Sequence, residues 1–124
     1  MSRYRIIYVD DEADVREIAA LALEFDPDFE VMTCDSGEAA LELAARWHPH
    51  LMLLDYMMPN LDGPGTLIRL RQTPDGAHFP VAFVTARLQS QDVARMIALG
   101  AAGVVPKPFD VMTFAATARK FLRA

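Results

Sequence analysis

The sequence predicts an α/β fold, a doubly wound five-stranded parallel sheet with helices on both faces. Short apolar segments rich in β-branched residues alternate five times with segments whose apolar residues repeat at helical spacing. The segments LMLL and VAFV are continuously apolar, which is typical of parallel strands buried on both faces. The 124 residues fit one domain, so residues 1–124 are treated as a single unit.

Five apolar segments are predicted to be strands, because each is short and is followed by polar or turn residues. These strands are Arg5–Val9, Glu30–Cys34, Leu51–Leu54, Val81–Val84 and Gly103–Val105. Because the sheet has only five strands, the flavodoxin-like order 2-1-3-4-5 is favoured over a Rossmann order. The single cysteine, Cys34, excludes an internal disulfide and is expected to be a small buried side chain near a strand end.

The helices are predicted from apolar residues that repeat every three or four positions. These residues are Val15, Ile18, Ala22 and Phe25 in the first helix, Ala40, Leu43, Ala44 and Trp47 in the second, Val93, Ile97 and Ala101 in the fourth, and Val111, Phe114, Ala115, Ala118 and Leu122 in the last. The third helix lies within DGPGTLIRLRQTPDG, where Gly and Pro at the start and a loop by Thr73–Gly76 leave its length open.

Polar residues mark where several helices begin and end. Asp35 or Ser36 is expected to cap the second helix, Ser90 the fourth and Asp110 the last, since their side-chain oxygens can accept hydrogen bonds from first-turn N–H groups. Gly100 suits the stop after the fourth helix, because glycine readily adopts a left-handed conformation there.

Composition excludes several classes of protein. A formal net charge of −5 argues against general nucleic-acid binding, which depends on clustered Lys and Arg. No segment approaches the ~20 apolar residues of a membrane span, and the apolar run of MSRYRIIYVDD is too short for a signal peptide. We therefore expect a cytoplasmic protein that binds neither nucleic acid nor membranes. His48, His50 and His78 are expected to be surface residues rather than metal ligands.

Candidate site residues follow four of the five predicted strands. Asp10 and Asp11 follow the first strand, Asp55 the third, Thr85 the fourth and Lys107 the fifth. Parallel strands end at one edge of the sheet, where ligands bind in doubly wound folds, so these five side chains are predicted to share a pocket. Repulsion among the carboxylates makes such a cluster costly unless a cation binds, and Mg²⁺ is the expected cofactor.

The predicted pocket suits phosphoryl transfer to a carboxylate. Asp55 is the expected nucleophile, since an ionised carboxylate can form an aspartyl phosphate. Mg²⁺ would lower the cost of bringing phosphate oxygens to it. Lys107 would pair first with the carboxylate and then with the phosphoryl group, and Thr85 can donate a hydrogen bond to a phosphoryl oxygen.

Four motifs together resemble the receiver domain of two-component response regulators over essentially the whole chain: VDDE at 9–12, LLDYMMPNLDG at 53–63, VTA at 84–86 and PKPF at 106–109. The resemblance implies that Asp55 is the phosphoacceptor, with a sensor histidine kinase or phosphotransfer protein as donor. It also implies that Asp11, Asp55 and the main-chain carbonyl of Met57 bind Mg²⁺ directly, and that Asp10 acts mainly through bound water.

The same resemblance assigns further roles. Thr85 and Lys107 would contact the phosphoryl group, and Lys107–Pro108 would be a cis peptide. Met57 and Arg87 would flank the phosphoryl group and tune its lifetime, and the apolar Met57 is expected to hinder attack by water. This chain has Val104 where the family usually has Tyr or Phe, so the usual aromatic reporter of phosphorylation is missing.

A receiver would act as a signalling switch with a downstream protein target rather than as an enzyme, with no small-molecule substrate beyond phosphodonors. The alternatives are a phosphate sink or a hybrid-kinase receiver without its own output, and we expect no output segment after a last helix that ends at Ala124. An aspartyl-phosphate phosphatase of the haloacid-dehalogenase type would need Asp where Met57 stands. A flavin module would place an FMN phosphate against DDEADV, where negative charge opposes it.

Overall fold

Strands and helices alternate along the chain in a computed structural model that describes residues 3–74 and 79–122. The described elements are β1 Tyr4–Val9, α1 Ala13–Leu23, β2 Phe29–Cys34, α2 Gly37–Trp47, β3 Leu51–Asp55, α3 Gly63–Arg71, β4 Val81–Thr85, α4 Ser90–Ala98, β5 Gly103–Pro106 and α5 Phe114–Arg119. The five predicted strands are confirmed, each with ends that differ by at most one residue.

The strands form one parallel sheet in the order β2-β1-β3-β4-β5, which confirms the predicted fold. The register aligns the ends of neighbouring strands. Val9 lies opposite both Cys34 and Leu54, and Thr85 lies opposite Pro106. Residues that follow different strands are therefore brought to the same edge, which we call the carboxyl edge.

Two apolar layers cover the sheet, because alternate side chains of each strand point to opposite faces. On one face, Ile7 and Val9 pack with buried residues of α2, α3 and α4. On the other, Ile6 and Tyr8 pack with buried residues of α1 and α5. The inner strands β3 and β4 are buried at every position, as LMLL and VAFV predict.

The buried face of α1 differs from the predicted one. Ile18 is 46% exposed, and Phe25 is 62% exposed and lies beyond the end of the helix. The helix buries the predicted Ala22, and with it Ala19 and Leu23. Two of the three buried residues are small alanines, so side-chain size and hydrophobicity alone do not identify the residues that face the core.

The ends of α4 and α5 also correct the predictions. Ser90 is the first residue of α4 rather than its cap, and the capping position is Gln89. The last helix is shorter than predicted and begins at Phe114. Asp110 caps a preceding turn, where its Oδ1 accepts the N–H of Met112 at 2.9 Å. A turn satisfies the same N–H groups as a helical start, so the two cannot be distinguished from the sequence.

Other predicted helix signals are confirmed. Ser36 caps α2 by accepting the N–H of Ala39 at 3.1 Å. Gly100 follows α4 with a φ of +102°. The Lys107–Pro108 peptide is cis. Asp75, Gly76, His78 and Ala124, on which parts of other predictions fall, lie outside the described residues.

At the opposite edge of the sheet, which we call the amino edge, charged and polar groups are paired. Arg119 donates to Asp26 through Nε at 2.8 Å and through Nη2 at 3.0 Å, and it donates to Asp28 at 2.9 Å. His50 is half-buried rather than a free surface residue, since its Nδ1 accepts the N–H of Arg5 at 2.8 Å. Across residues 3–74 and 79–122, the structure contains no helix with the length and apolar character needed to span a bilayer.

Candidate functional site

The backbone at the carboxyl edge fixes the positions of the predicted site residues. Asp10 directly follows β1 and donates its N–H to the carbonyl of Cys34 at 3.1 Å. Asp55 and Thr85 are the last residues of β3 and β4. Lys107 follows β5 and donates its N–H to the carbonyl of Thr85 at 2.9 Å. Ladder hydrogen bonds therefore continue into the site, and the side chains start from a rigid sheet.

Lys107 is the centre of the charge network. Its Nζ donates to Asp10 Oδ2 at 2.9 Å, to Asp55 Oδ2 at 3.3 Å and to Glu12 Oε1 at 3.4 Å. Glu12 was not among the predicted site residues, although the motif VDDE places it two residues after Asp10. One ammonium group thus serves three carboxylates, and a negative charge excess remains at this edge.

Three carboxylates lie close enough together to hold a cation. Asp10, Asp11 and Asp55 each offer an oxygen, and these oxygens lie within 4.8 Å of one another. Asp10 and Asp55 are buried, whereas Asp11 is exposed. Carboxylate oxygens are the donors that Mg²⁺ prefers, and exposure of one of them leaves a route for an ion that keeps several waters. The donor set therefore fits Mg²⁺.

Burial and neighbouring charges shift the pKa values of Asp55 and Lys107, which face each other at the centre of the site. Burial, followed by the charge of Asp10, raises the pKa of Asp55 to about 6, although Lys107 opposes the shift. For Lys107, burial lowers the pKa, but the hydrogen bond to Asp10 and the charges of Asp55 and Asp10 together raise it above its usual value. At neutral pH, Asp55 is mostly an anion and Lys107 is a cation.

Tyr8 belongs to the site and is not identified by the sequence motifs. Its side chain is fully buried under the carboxyl edge, and its hydroxyl donates to Asp10 Oδ2 at 3.0 Å. Burial, followed by the charge of Asp10, raises the pKa of Tyr8, so the phenol stays protonated and remains a donor. The signal available in the sequence is strand alternation, because residues 8 and 10 fall on the same face.

Thr85, Arg87 and Met57 form the wall beside Asp55. Thr85 is buried, and its Oγ1 accepts the N–H of Arg87 at 2.9 Å, which leaves the hydroxyl hydrogen to be donated to a ligand. Met57 is 59% exposed, and its Sδ lies 3.4 Å from Arg87 Nε. The N–H of Met57 points to Asp55 Oδ1 at 3.4 Å. Both predicted flanking residues therefore lie beside Asp55.

A cavity opens over these groups. Its volume is about 630 Å³, and Asp55, Thr85 and Lys107 line it together with Arg87. Its remaining wall is mainly apolar and includes Ile18 of α1. The carboxylate of Asp55 is thus largely buried but faces this cavity.

The loop after β3 holds Asp55 in place through a close backbone contact. Gly63 donates its N–H to the carbonyl of Tyr56 at 3.0 Å. A Cβ atom at residue 63 would lie 2.6 Å from the backbone oxygen of Asp55, so only glycine fits without moving the end of β3. Asp62 caps α3 by accepting the N–H of Gly65 at 2.8 Å.

Known proteins are similar to this chain in sequence and in fold. A family model described as the response regulator receiver domain matches residues 6–119. The probable transcriptional regulator ycf27 of Porphyridium aerugineum is 36% identical over 123 residues, which are 99% of this chain and 50% of that protein. The response regulator PleD of Caulobacter vibrioides is 41% identical over 114 residues, which are 90% of this chain and 24% of that protein.

A solved structure shows the same architecture. The chemotaxis protein CheY4 of Vibrio cholerae superimposes with a TM-score of 0.90 at 25% identity, covering 98% of this chain and 100% of that one. By contrast, the chain spans about half the length of ycf27 and about a quarter of the length of PleD. The similarity to these longer proteins therefore concerns one part of each.

Proposed function

The chain belongs to the response regulator receiver domain family of two-component systems, and from this premise we propose that it accepts a phosphoryl group on Asp55. The observation that carries the proposal is the position of this carboxylate. It is buried, it lies 3.3 Å from Lys107, and it faces a cavity of about 630 Å³. Receiver domains are signalling domains rather than typical enzymes, so the transfer serves a switch.

The donor is the phosphohistidine of a sensor histidine kinase or of a phosphotransfer protein. A carboxylate oxygen of Asp55 forms a bond to phosphorus while the P–N bond to the imidazole breaks and the imidazole nitrogen takes up a proton. Lys107 moves its charge from the carboxylates toward the phosphoryl oxygens, and the hydroxyl of Thr85 donates to one of them. Support for these roles comes from the contacts of Lys107 and the free hydroxyl hydrogen of Thr85.

Asp11, Asp55 and the main-chain carbonyl of Met57 are proposed to hold Mg²⁺ directly, with Asp10 acting through water. Bound Mg²⁺ would offset the negative charge that carboxylates and phosphate oxygens bring together. The hydrogen bonds of Asp10 support its indirect role. Its Oδ1 accepts the N–H of Glu12 at 2.9 Å, and its Oδ2 already has two donors.

Phosphorylation is proposed to shift the domain toward a conformation that a downstream protein target recognises. Val104 has a smaller side chain than the ring that the family usually carries there, so coupling through an aromatic residue is absent at this position. A phosphate sink or a hybrid-kinase receiver would use the same site without a target of its own. We propose residues 1–124 as one cytoplasmic receiver unit, whichever of these roles applies.

Incubation with acetyl phosphate and Mg²⁺ tests the acceptor. We expect one phosphoryl group per chain, stable to acid and labile to base, and we expect none in Asp55→Asn. The matched control is Asp35→Asn, which removes an exposed carboxylate after β2 at the same edge and should be phosphorylated like the wild type. An adduct that persists in Asp55→Asn contradicts the proposal, and sustained release of phosphate favours a phosphatase.

A further inference from the structure

Asp10 is the most completely enclosed carboxylate of the site. Its side chain has no exposed surface, and both of its oxygens accept hydrogen bonds. Oδ1 accepts the N–H of Glu12, and Oδ2 accepts both the hydroxyl of Tyr8 at 3.0 Å and Nζ of Lys107 at 2.9 Å. Tyr8 and Lys107 thus share one buried oxygen, and a change in either donor affects the other.

Aromatic packing restricts the ring of Tyr8 and so helps to position its hydroxyl. The ring of Tyr8 meets Phe109 edge-on at 6.2 Å and Phe114 edge-on at 6.1 Å. The rings of Phe109 and Phe114 are themselves stacked at 4.0 Å. Aromatic contacts of this kind restrict the orientation of the ring, so the hydroxyl is presented to Asp10 from a rigid support.

We propose that Tyr8 is a positioning residue for the metal and phosphoryl site, which holds Asp10 so that Lys107 can leave it. This inference rests on the proposed function. When Lys107 turns toward a phosphoryl group, the buried Oδ2 of Asp10 keeps the Tyr8 hydroxyl as a donor and is not left unsatisfied. Without that hydroxyl, Lys107 pairs more tightly with Asp10, which makes Lys107 less available to the phosphoryl group and the carboxylate less available to a cation.

The test is Mg²⁺ affinity measured by isothermal titration calorimetry for the wild type and Tyr8→Phe. The variant keeps the ring and removes only the hydroxyl. We expect affinity to fall about tenfold, the lower end of what is lost when a group supporting a metal site is removed. Tyr4→Phe is the matched control, because it makes the same change in β1 at the amino edge and should leave the affinity unchanged.

A double-mutant cycle separates positioning from a general structural effect. In an Asp10→Asn background, Tyr8→Phe should change Mg²⁺ affinity by less than about twofold, because the group through which Tyr8 acts is already altered. Equal losses in both backgrounds would overturn the inference, even if the melting temperature also falls. Unchanged affinity in Tyr8→Phe alone would overturn it as well.

A second variant covers the case in which Tyr8→Phe does not fold. Phe109→Leu keeps the hydroxyl but loosens its support, and we expect a smaller loss of Mg²⁺ affinity; an unchanged value would overturn the inference. The wild-type titration distinguishes the two levels of the argument. A wild type that binds no Mg²⁺ contradicts the proposed function, whereas a wild type that binds it as tightly as Tyr8→Phe contradicts only the role of Tyr8.

Discussion

The two edges of the sheet shift the pKa of a buried or paired aspartate in opposite directions. At the amino edge, Arg119 binds Asp26 with two hydrogen bonds, and this pairing holds the pKa of Asp26 below its usual range. At the carboxyl edge, Lys107 is shared among several carboxylates, and burial with the charge of Asp10 raises the pKa of Asp55 to about 6. The anionic form of an aspartate is therefore stabilised at the amino edge and destabilised at the carboxyl edge.

Pairing at the amino edge extends beyond the ion pair. The guanidinium of Arg119 lies 5.5 Å from the ring centre of Tyr4 and 5.4 Å from that of Phe29. Arg5 and His50 exchange hydrogen bonds, with the N–H of each residue donating to the other at 2.8 Å. Among the residues that the structure describes, Arg119 is thus paired with Asp26 and Asp28 at this edge, whereas at the carboxyl edge one ammonium group faces three carboxylates.

The largest expected effect is the stabilisation of the metal-free protein by Asp55→Asn. The folded-state pKa of about 6 lies above the ordinary 3.8, so the folded protein loses stability as pH rises from about 4 through 6. Removing the ionisable group should recover about 3 kcal/mol at pH 8 and nothing near pH 4. Urea unfolding of both proteins at the two pH values measures the difference. If the variant is less stable than the wild type at pH 8, then the ionised carboxylate of Asp55 does not destabilise the folded protein.

Binding of Mg²⁺ at the carboxyl edge should raise the free energy of unfolding by nearly the same amount. A cation that binds only the folded state adds about 2.7 kcal/mol at 100 times its dissociation constant. Thermal unfolding across an Mg²⁺ titration should therefore show a rising melting temperature in the wild type and a smaller rise in Asp55→Asn. A melting temperature that does not respond to Mg²⁺ would count against an acidic cation site.

Arg119→Ala tests the other side of the comparison. It leaves Asp26 and Asp28 without their partner, so we expect a lower melting temperature. The loss should be smaller than the effects at the carboxyl edge, because exposed ion pairs are screened by solvent. The decrease should be the same with and without Mg²⁺, since Arg119 lies at the opposite edge of the sheet from the carboxylates that are proposed to bind the cation. A decrease that Mg²⁺ reverses would show that the two edges are coupled.

The smallest expected effect is kinetic. Met57 is exposed beside Asp55, the proposed acceptor, and Arg87 contacts its sulfur. Replacing Met57 with Asn introduces a side chain that can hydrogen-bond water, so dephosphorylation of the labelled protein should become severalfold faster while unfolding stability hardly changes. Decay that is unchanged or slower would refute the idea that the apolar side chain hinders water.

Elements buried on both sides were predictable from the sequence. Continuous apolar runs identify β3 and β4, and strand ends at one edge bring Asp10, Asp55 and Lys107 together. The buried face of α1 was harder to predict, because this helix turns Ala19 rather than Ile18 to the core. Close packing, not hydrophobicity alone, decides which face is covered.

The hydrogen bonds within the site were less predictable from the sequence than the residues that form it. From the sequence, Tyr8 is indistinguishable from the other residues of a buried strand. The structure shows that its hydroxyl donates a hydrogen bond to Asp10. The hydrogen bond from Lys107 to Glu12 likewise depends on the conformation of the loop after β1, and no spacing rule specifies it. The catalytic and metal-binding roles of the predicted residues remain predictions.

The most direct test of the difference between the edges is the titration of individual aspartates by carbon-13 NMR. Asp55 should titrate near pH 6 in the metal-free protein and at distinctly lower pH when Mg²⁺ is present, because a bound cation favours the anion. Asp26 should titrate below its usual range in both conditions. An Asp55 that titrates near pH 4 and does not respond to Mg²⁺ would contradict the account.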